Sequence, residues 1–210
     1  MDLTVFGATG GVGREIVRQA LTAGHRVTAV VRDPARLPVT GERLQVVTAG
    51  LGDPGPLRQA VAGRDAVLSG VGPSGPRAAG IAASATRSIL GAMEAEGVRR
   101  FVAVSAAPLG PVPENETVLL RLLTPVVSRV LRKVYDDLRE MEDEMRRSAA
   151  EWTAVRPPRL TDAPLTGVYR RAVDANPRGG RRIGRADVAH AMLAAVDDPA
   201  TVGRALGIAY

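Results

Sequence analysis

The sequence predicts an α/β fold, a doubly wound parallel sheet with helices on both faces, and three observations predict it. Short β-rich runs alternate with longer helical patterns along nearly all of the 210 residues. Such alternation calls for parallel strands joined by helical crossovers. The first β-rich run passes straight into a glycine-rich turn, Gly7-Ala-Thr9-Gly10-Gly11-Val12-Gly13. The composition, 45% hydrophobic and 24% charged, is that of an ordinary globular chain long enough to bury a core. One domain over residues 1–210 is expected, with a small substrate-side segment from about 157 to 185.

The elements follow in order. Leu3–Phe6 reads as the first strand and Gly11–Ala23 as the first helix. Arg26–Val31, Leu44–Thr48, Ala66–Ser69, Phe101–Ser105 and Trp152–Val155 read as five further strands. Helical segments fall near Pro54–Ala62, Ala78–Glu96 and Tyr135–Ala149, with apolar residues three and four apart, as at Ile81, Ala85, Ile89 and Met93. After Pro157-Pro158 a loop-rich stretch leads to a helix over Arg185–Val196, with Asp187 in the first turn, where a carboxylate suits the helix dipole. A last strand near Ala205–Ala209 is expected at the sheet edge.

Composition removes several function classes. There is no cysteine, so disulfides, thiolate metal sites and cysteine nucleophiles are excluded. Two histidines, His25 and His190, do not make a histidine-rich metal centre, and no metal is expected. The net charge of +6 comes from 28 basic residues, all arginine except Lys133, and most alternate with acids, as between Asp136 and Arg147. Only Arg170–Arg185 is locally lopsided. With aromatics at 3%, base-stacking platforms are lacking and no nucleic-acid partner is expected. The apolar stretch Val118–Val134 is interrupted by Arg121, Pro125 and Arg129, too often to span a bilayer. A first strand that starts at Asp2 leaves no room for a signal peptide, so a cytoplasmic location is expected.

The glycine turn carries the main functional signal. Glycines let the backbone approach a diphosphate, whose charge then sits at the positive end of the first helix. The strand–turn–helix context makes the motif specific and the fold Rossmann-type. At the end of the second strand stands Val31-Arg32-Asp33-Pro34-Ala-Arg36. An acid there would receive ribose hydroxyls, whereas an arginine favours a 2′-phosphate. Arg32 holds that place, with Arg36 one turn on; Asp33 before Pro34 fits an N-cap better than a ribose acid. NADP(H) is therefore favoured over NAD(H).

Together with that turn, Asp65-Ala66-Val67, Phe101–Ser105, Val155-Arg156-Pro157 and Asp187-Val-Ala189 make the chain resemble the atypical short-chain dehydrogenase/reductase family of NmrA-like proteins. Within it the similarity is greatest to the flavin reductase/biliverdin-IXβ reductase group. Pro157-Pro158-Arg159-Leu-Thr-Asp162-Ala-Pro164-Leu165-Thr166-Gly167-Val-Tyr169 is the sharpest match. The resemblance implies that Gly7, Thr9, Gly10, Gly11, Val12 and Gly13 form the phosphate turn. It implies Arg32 and Arg36 on the 2′-phosphate, and Leu51, Val71 and Gly72 along the adenosine and ribose path. Ser105, Pro157 and Arg159 would border the nicotinamide.

Three departures bear on the chemistry. Gly50 stands where the family often has an aspartate, and Ala106 where the flavin-reductase group has a serine donor. The tyrosine–lysine pair of the superfamily is also missing: Tyr135 is followed four residues on by Arg139, which does not titrate as an amine. Ser105 and Tyr135 remain as candidate catalytic groups. Ser105 has a local backbone bond as its alternative role, and Tyr135 has packing beside the cleft. So thin an acid–base inventory points to flavins, quinones or similar conjugated acceptors, which take a proton from water. The expected partner is thus a small-molecule electron acceptor, for a monomer or small homo-oligomer. A non-catalytic NADP(H) sensor is the alternative; a sugar-nucleotide epimerase would need a larger C-terminal domain.

Overall fold

The computed structural model describes residues 1–72, 80–111 and 131–210. Among the described residues ten strands are formed: β1 (Asp2–Phe6), β2 (Arg26–Val31), β3 (Leu44–Thr48), β4 (Ala66–Ser69), β5 (Arg100–Val104), β6 (Glu151–Arg156), β7 (Arg159–Thr161), β8 (Arg170–Val173), β9 (Arg182–Gly184) and β10 (Arg204–Ala209). The described helices are α1 (Gly11–Thr22), α2 (Pro54–Val61), α3 (Ile81–Ala95), α4 (Arg132–Arg147) and α5 (Arg185–Val196). Eight strands build one sheet in the order β3-β2-β1-β4-β5-β6-β10-β8, all pairs parallel except β10 with β8. The strand order reverses at β1, so a crevice opens beyond the carboxyl ends of β1 and β4, where open α/β sheets take their ligands.

Alternation along each strand divides the core into two layers. Leu3 and Val5 of β1, with Val102 and Val104 of β5, face α1 and α5. Phe6, with Phe101 and Ala103, faces α2, α3 and α4. This is period-two packing of a sheet covered on both faces. Between layers the polar groups are paired: Thr4 donates its hydroxyl to the Ala60 carbonyl at 2.6 Å. Arg100, buried, donates to the Val196 carbonyl, to Thr153 and to Thr201, tying β5 and β6 to the end of α5.

Two parts differ from the sequence expectation. The last strand does not lie at the edge. It pairs with β6 on one side and with β8 on the other. The loop-rich stretch supplies that outer strand, β8, and also a small parallel sheet of β7 with β9. Both Arg170 and Arg171 of β8 are exposed, which suits an edge strand and hides it from a search for apolar alternation. Helix α4 begins at Arg132, three residues before the expected start, and ends at Arg147. The expected start of α3 at Ala78 and most of the apolar stretch Val118–Val134 lie outside the described residues. Among the described residues no helix is long and apolar enough to cross a membrane.

Candidate functional site

Parallel register brings four strand ends into line. Phe6 pairs with Ser69, Ser69 with Ala103, and Val104 with Val155, so Gly7, Gly70, Ser105 and Pro157, each just past the end of its strand, gather at the carboxyl end of the sheet. The candidate site is this row, with the start of α1 at one end and the β5–β6 ends at the other.

At the first end the glycines are sterically required. Gly7 has φ +71°, and a Cβ there would lie 2.8 Å from the Gly70 carbonyl carbon and the Val71 nitrogen. A Cβ on Gly13 would stand 2.1 Å from the Gly7 carbonyl oxygen. Gly10 differs: its φ is −78°, and its Cβ would meet only the Gly7 oxygen at 3.2 Å and the Gly70 oxygen at 4.0 Å. Gly7 and Gly13 thus serve the packing, while Gly10 is exposed and faces the crevice. The amides of Gly11, Val12 and Gly13 open α1 and have no acceptor within the helix. Val12 itself is buried in the core, and Thr9 is half-buried. The glycine cradle and the free amides fit a diphosphate group.

Arg32 and Arg36 are both exposed just past β2. Between them Asp33 caps the short 3-10 turn Pro34–Arg36, accepting from the Ala35 amide at 3.1 Å. One oxygen of its carboxylate is engaged as an N-cap, and the residue is exposed, as the two arginines are. Leu51 and Val71 pack at the rim of the second core layer, and Gly72 is exposed. Beside them, at Gly50, the Asp53 carboxylate folds back and accepts from the Gly50 amide at 3.1 Å. It fills the space a side chain at position 50 would occupy, 2.8 Å from the Cβ position.

The other end is a closed network of side chains. Ser105 is buried, its amide donating to the Val155 carbonyl at 2.7 Å and its hydroxyl to Glu142 Oε1 at 2.7 Å. The hydroxyl is thus bonded to a carboxylate 37 residues away, not to local backbone. Glu142 is itself 1% exposed; it also accepts from Arg156 Nε at 2.9 Å and from Arg146 Nη2 at 2.8 Å. Pro157 is buried, its carbonyl accepting from the Ala107 amide at 2.9 Å, while Arg159 is exposed. Tyr135 is buried against the α2–α3–α4 layer, and burial pushes its hydroxyl above the ordinary tyrosine range. Its neighbour Arg139 turns to solvent and pairs with Asp136 at 2.7 Å. A cavity of about 530 Å³ between the ends of α3 and α4 lies at the amino end of β5, at the opposite end of the sheet from this row.

Glu142 escapes a motif-based reading, and so do the partners of Asp187. Glu142 stands four residues after Leu138 and three before Met145, on the buried stripe of α4, and that spacing marks a carboxylate with partners inside. Asp187, expected to serve the dipole, is fully buried and accepts from the Thr166 and Gly167 amides, the Thr166 hydroxyl and the Tyr210 hydroxyl. Burial opposes its ionised form, but those hydrogen bonds prevail and hold its pKa below the usual carboxylate range. Asp137 likewise reaches across from α4, accepting from the Ala82 and Ala83 amides to cap α3.

Sheet order and glycine turn define a dinucleotide-binding α/β protein. The chain belongs to the NAD(P)H-binding family, whose sequence profile matches residues 7–199. It is 34% identical over 156 residues to a (4-alkanoyl-5-oxo-2,5-dihydrofuran-3-yl)methyl phosphate reductase from Streptomyces griseus; the match covers 74% of this chain and 46% of that protein. The chain therefore spans about half the length of that relative. Its fold is shared with a short-chain dehydrogenase/reductase from Veillonella parvula in complex with NADP, at 23% identity and TM-score 0.80, covering 100% of this chain and 94% of that one. A proposed NADH-flavin reductase from Streptococcus pneumoniae superposes with TM-score 0.81 at 22% identity, over 100% and 99% of the two chains.

Proposed function

We propose that the protein is an NADPH-dependent reductase of the atypical short-chain dehydrogenase/reductase type, transferring hydride to a flavin, quinone or similar conjugated acceptor. The observation that carries this reading is the inward-facing polar network at the β5–β6 end. Ser105 donates its hydroxyl hydrogen bond to Glu142, Ala106 has no hydroxyl, and Tyr135 is buried and hard to ionise. An acceptor that needs a dedicated side-chain acid is poorly served there; one that accepts hydride and draws its proton from water is not. The Streptomyces relative supports the same class, since its name gives an unsaturated lactone, a conjugated acceptor, as substrate.

In this reading each residue has a physical task. The amides of Gly11, Val12 and Gly13 bind the diphosphate, and Gly10 keeps the approach open. Arg32 and Arg36 hold the 2′-phosphate, while Asp33 caps its own turn. Leu51, Val71 and Gly72 border the adenosine and ribose, with Asp53 in the place of the family's aspartate. Ser105, Pro157 and Arg159 border the nicotinamide, where the Glu142 network keeps the β5 and β6 ends in register. The bound cofactor supplies the hydride.

Turnover is tested by following NADPH oxidation with FMN, quinones and an unsaturated lactone as acceptors. The proposal expects at least one to be reduced. Arg32→Ala is expected to weaken NADPH by about 1.5–3 kcal/mol, the scale of a charge-assisted hydrogen bond, and to leave NADH nearly unchanged. Equal loss for both cofactors would make Arg32 structural. Tight NADPH binding with no turnover of any acceptor favours a second reading, a cofactor sensor, which the Ser105 proton turned toward Glu142 also suits.

A further inference from the structure

The start of α5 packs against α1. Gln19 of α1 donates to the Ala186 carbonyl at 2.8 Å, with both residues buried. Directly beyond, Asp187 is held by its four donors from Thr166, Gly167 and Tyr210. Residue 185 is therefore fixed from its C-terminal side, and its side chain runs over Gly11. A Cβ placed on Gly11 would stand 2.5 Å from Arg185 Cδ and 2.8 Å from Nε. The arginine thus fills the volume that any side chain at position 11 would take, at the first residue of α1. Its ion-pair partner is Asp162, 2.6 Å from Nη1, with a carboxylate side chain 89% exposed. An ion pair so open to water holds weakly.

We propose that Arg185 is a binding residue for the cofactor's diphosphate, releasing Asp162 and taking phosphate oxygens in its place. The inference rests on the dinucleotide reading of the Gly7–Gly13 turn. The amides of α1 satisfy oxygens on one side of a diphosphate only. A planar guanidinium beside Gly11, once it leaves Asp162, can satisfy others with paired hydrogen bonds. Glycine at position 11 is what leaves room for it. The diphosphate is common to both nicotinamide cofactors, so Arg185 contributes equally to NADPH and NADH, unlike Arg32.

The test is calorimetric titration of NADPH and NADH into the wild type, Arg185→Ala, Arg185→Lys and Asp162→Asn, each checked for an unchanged cofactor-free melting temperature. Arg185→Ala is expected to raise both dissociation constants by about tenfold or more, and by the same factor. It also makes the salt dependence shallower. Arg185→Lys recovers part of the loss, and Asp162→Asn tightens both cofactors by about twofold. Arg185→Met, which keeps an uncharged unbranched chain over Gly11, makes the same comparison if the alanine variant melts early. Wild-type binding with unchanged constants in Arg185→Ala overturns the inference alone, as does a loss confined to NADPH. A wild type that binds neither cofactor overturns the dinucleotide reading and this inference with it.

Discussion

The two ends of the candidate site are built in opposite ways. At the β1–α1 turn the groups on offer are backbone amides: Gly7 and Gly13 let the backbone pack closely, Gly10 carries no side chain of its own, and the one side chain over Gly11 is that of Arg185. At the β5–β6 end they are side chains closed on one another, with Ser105 on Glu142 and Glu142 on Arg156 and Arg146. The first end is made by seven consecutive residues; the second joins β5, α4 and β6. A turn made of backbone has strict steric rules and so leaves a readable motif. A side-chain network needs only compatible charges at positions the fold brings together, and so leaves almost none.

The sharpest way to break the comparison is inside the turn itself. Gly13→Ala places a methyl group 2.1 Å from the Gly7 carbonyl oxygen, and both sides of that clash are backbone. A loss of about 4–5 kcal/mol in chemical denaturation is expected, the range reserved for a specific structural failure. Gly10→Val, with a permitted φ and an open outward side, is expected to fold and to lose cofactor binding instead. If the two variants behaved alike, the division of the glycines between packing and ligand approach would be wrong.

At the other end the test is charge rather than volume. Glu142→Gln keeps the size and one acceptor oxygen but leaves the buried Arg156 guanidinium without its counter-charge. Breaking a buried pair from one side costs about 3–5 kcal/mol. Denaturant unfolding should show a loss of that size, and a double variant with Arg156→Met should recover much of it. An unchanged midpoint in the single variant would mean that water already screens the pair.

The same contrast explains what was legible in the sequence. Strands β1 to β6 and the turn follow from apolar runs and glycines, which act over a few residues. Asp33 as an N-cap is local too, and a Pro at the next position announces it. By contrast β8 is four residues long with arginines at Arg170 and Arg171, so its place beside β10 is decided by pairing with a strand more than thirty residues away. Asp187 could be assigned to the helix dipole because its partners, Thr166, Gly167 and Tyr210, come together only in the fold. Arg185 over Gly11 is of the same kind, set by helix packing and visible in no motif.

The smallest expected effect falls on the residue with the most familiar catalytic side chain. Tyr135 lies on α4 with Leu138 and Met141, packed in the second core layer, and burial raises its pKa above the ordinary 10.0. A hydroxyl in that state stays protonated throughout the neutral range, so it contributes no ionisation to a pH–rate profile between about pH 6 and 9. Arg139, four residues on, is paired outward with Asp136 and does nothing to lower that pKa toward a working range. Tyr135→Phe is therefore expected to reduce turnover by less than about tenfold, well short of the roughly 10²–10⁴-fold associated with general acid–base catalysis. Turnover with the best acceptor, measured across that pH range for both proteins, gives the answer. Parallel, flat profiles fit a tyrosine that packs and a proton that comes from water. A thousandfold drop, or a limb present in the wild type and absent from the variant, would place a conventional acid at Tyr135 and make the two ends of the site more alike than their construction implies.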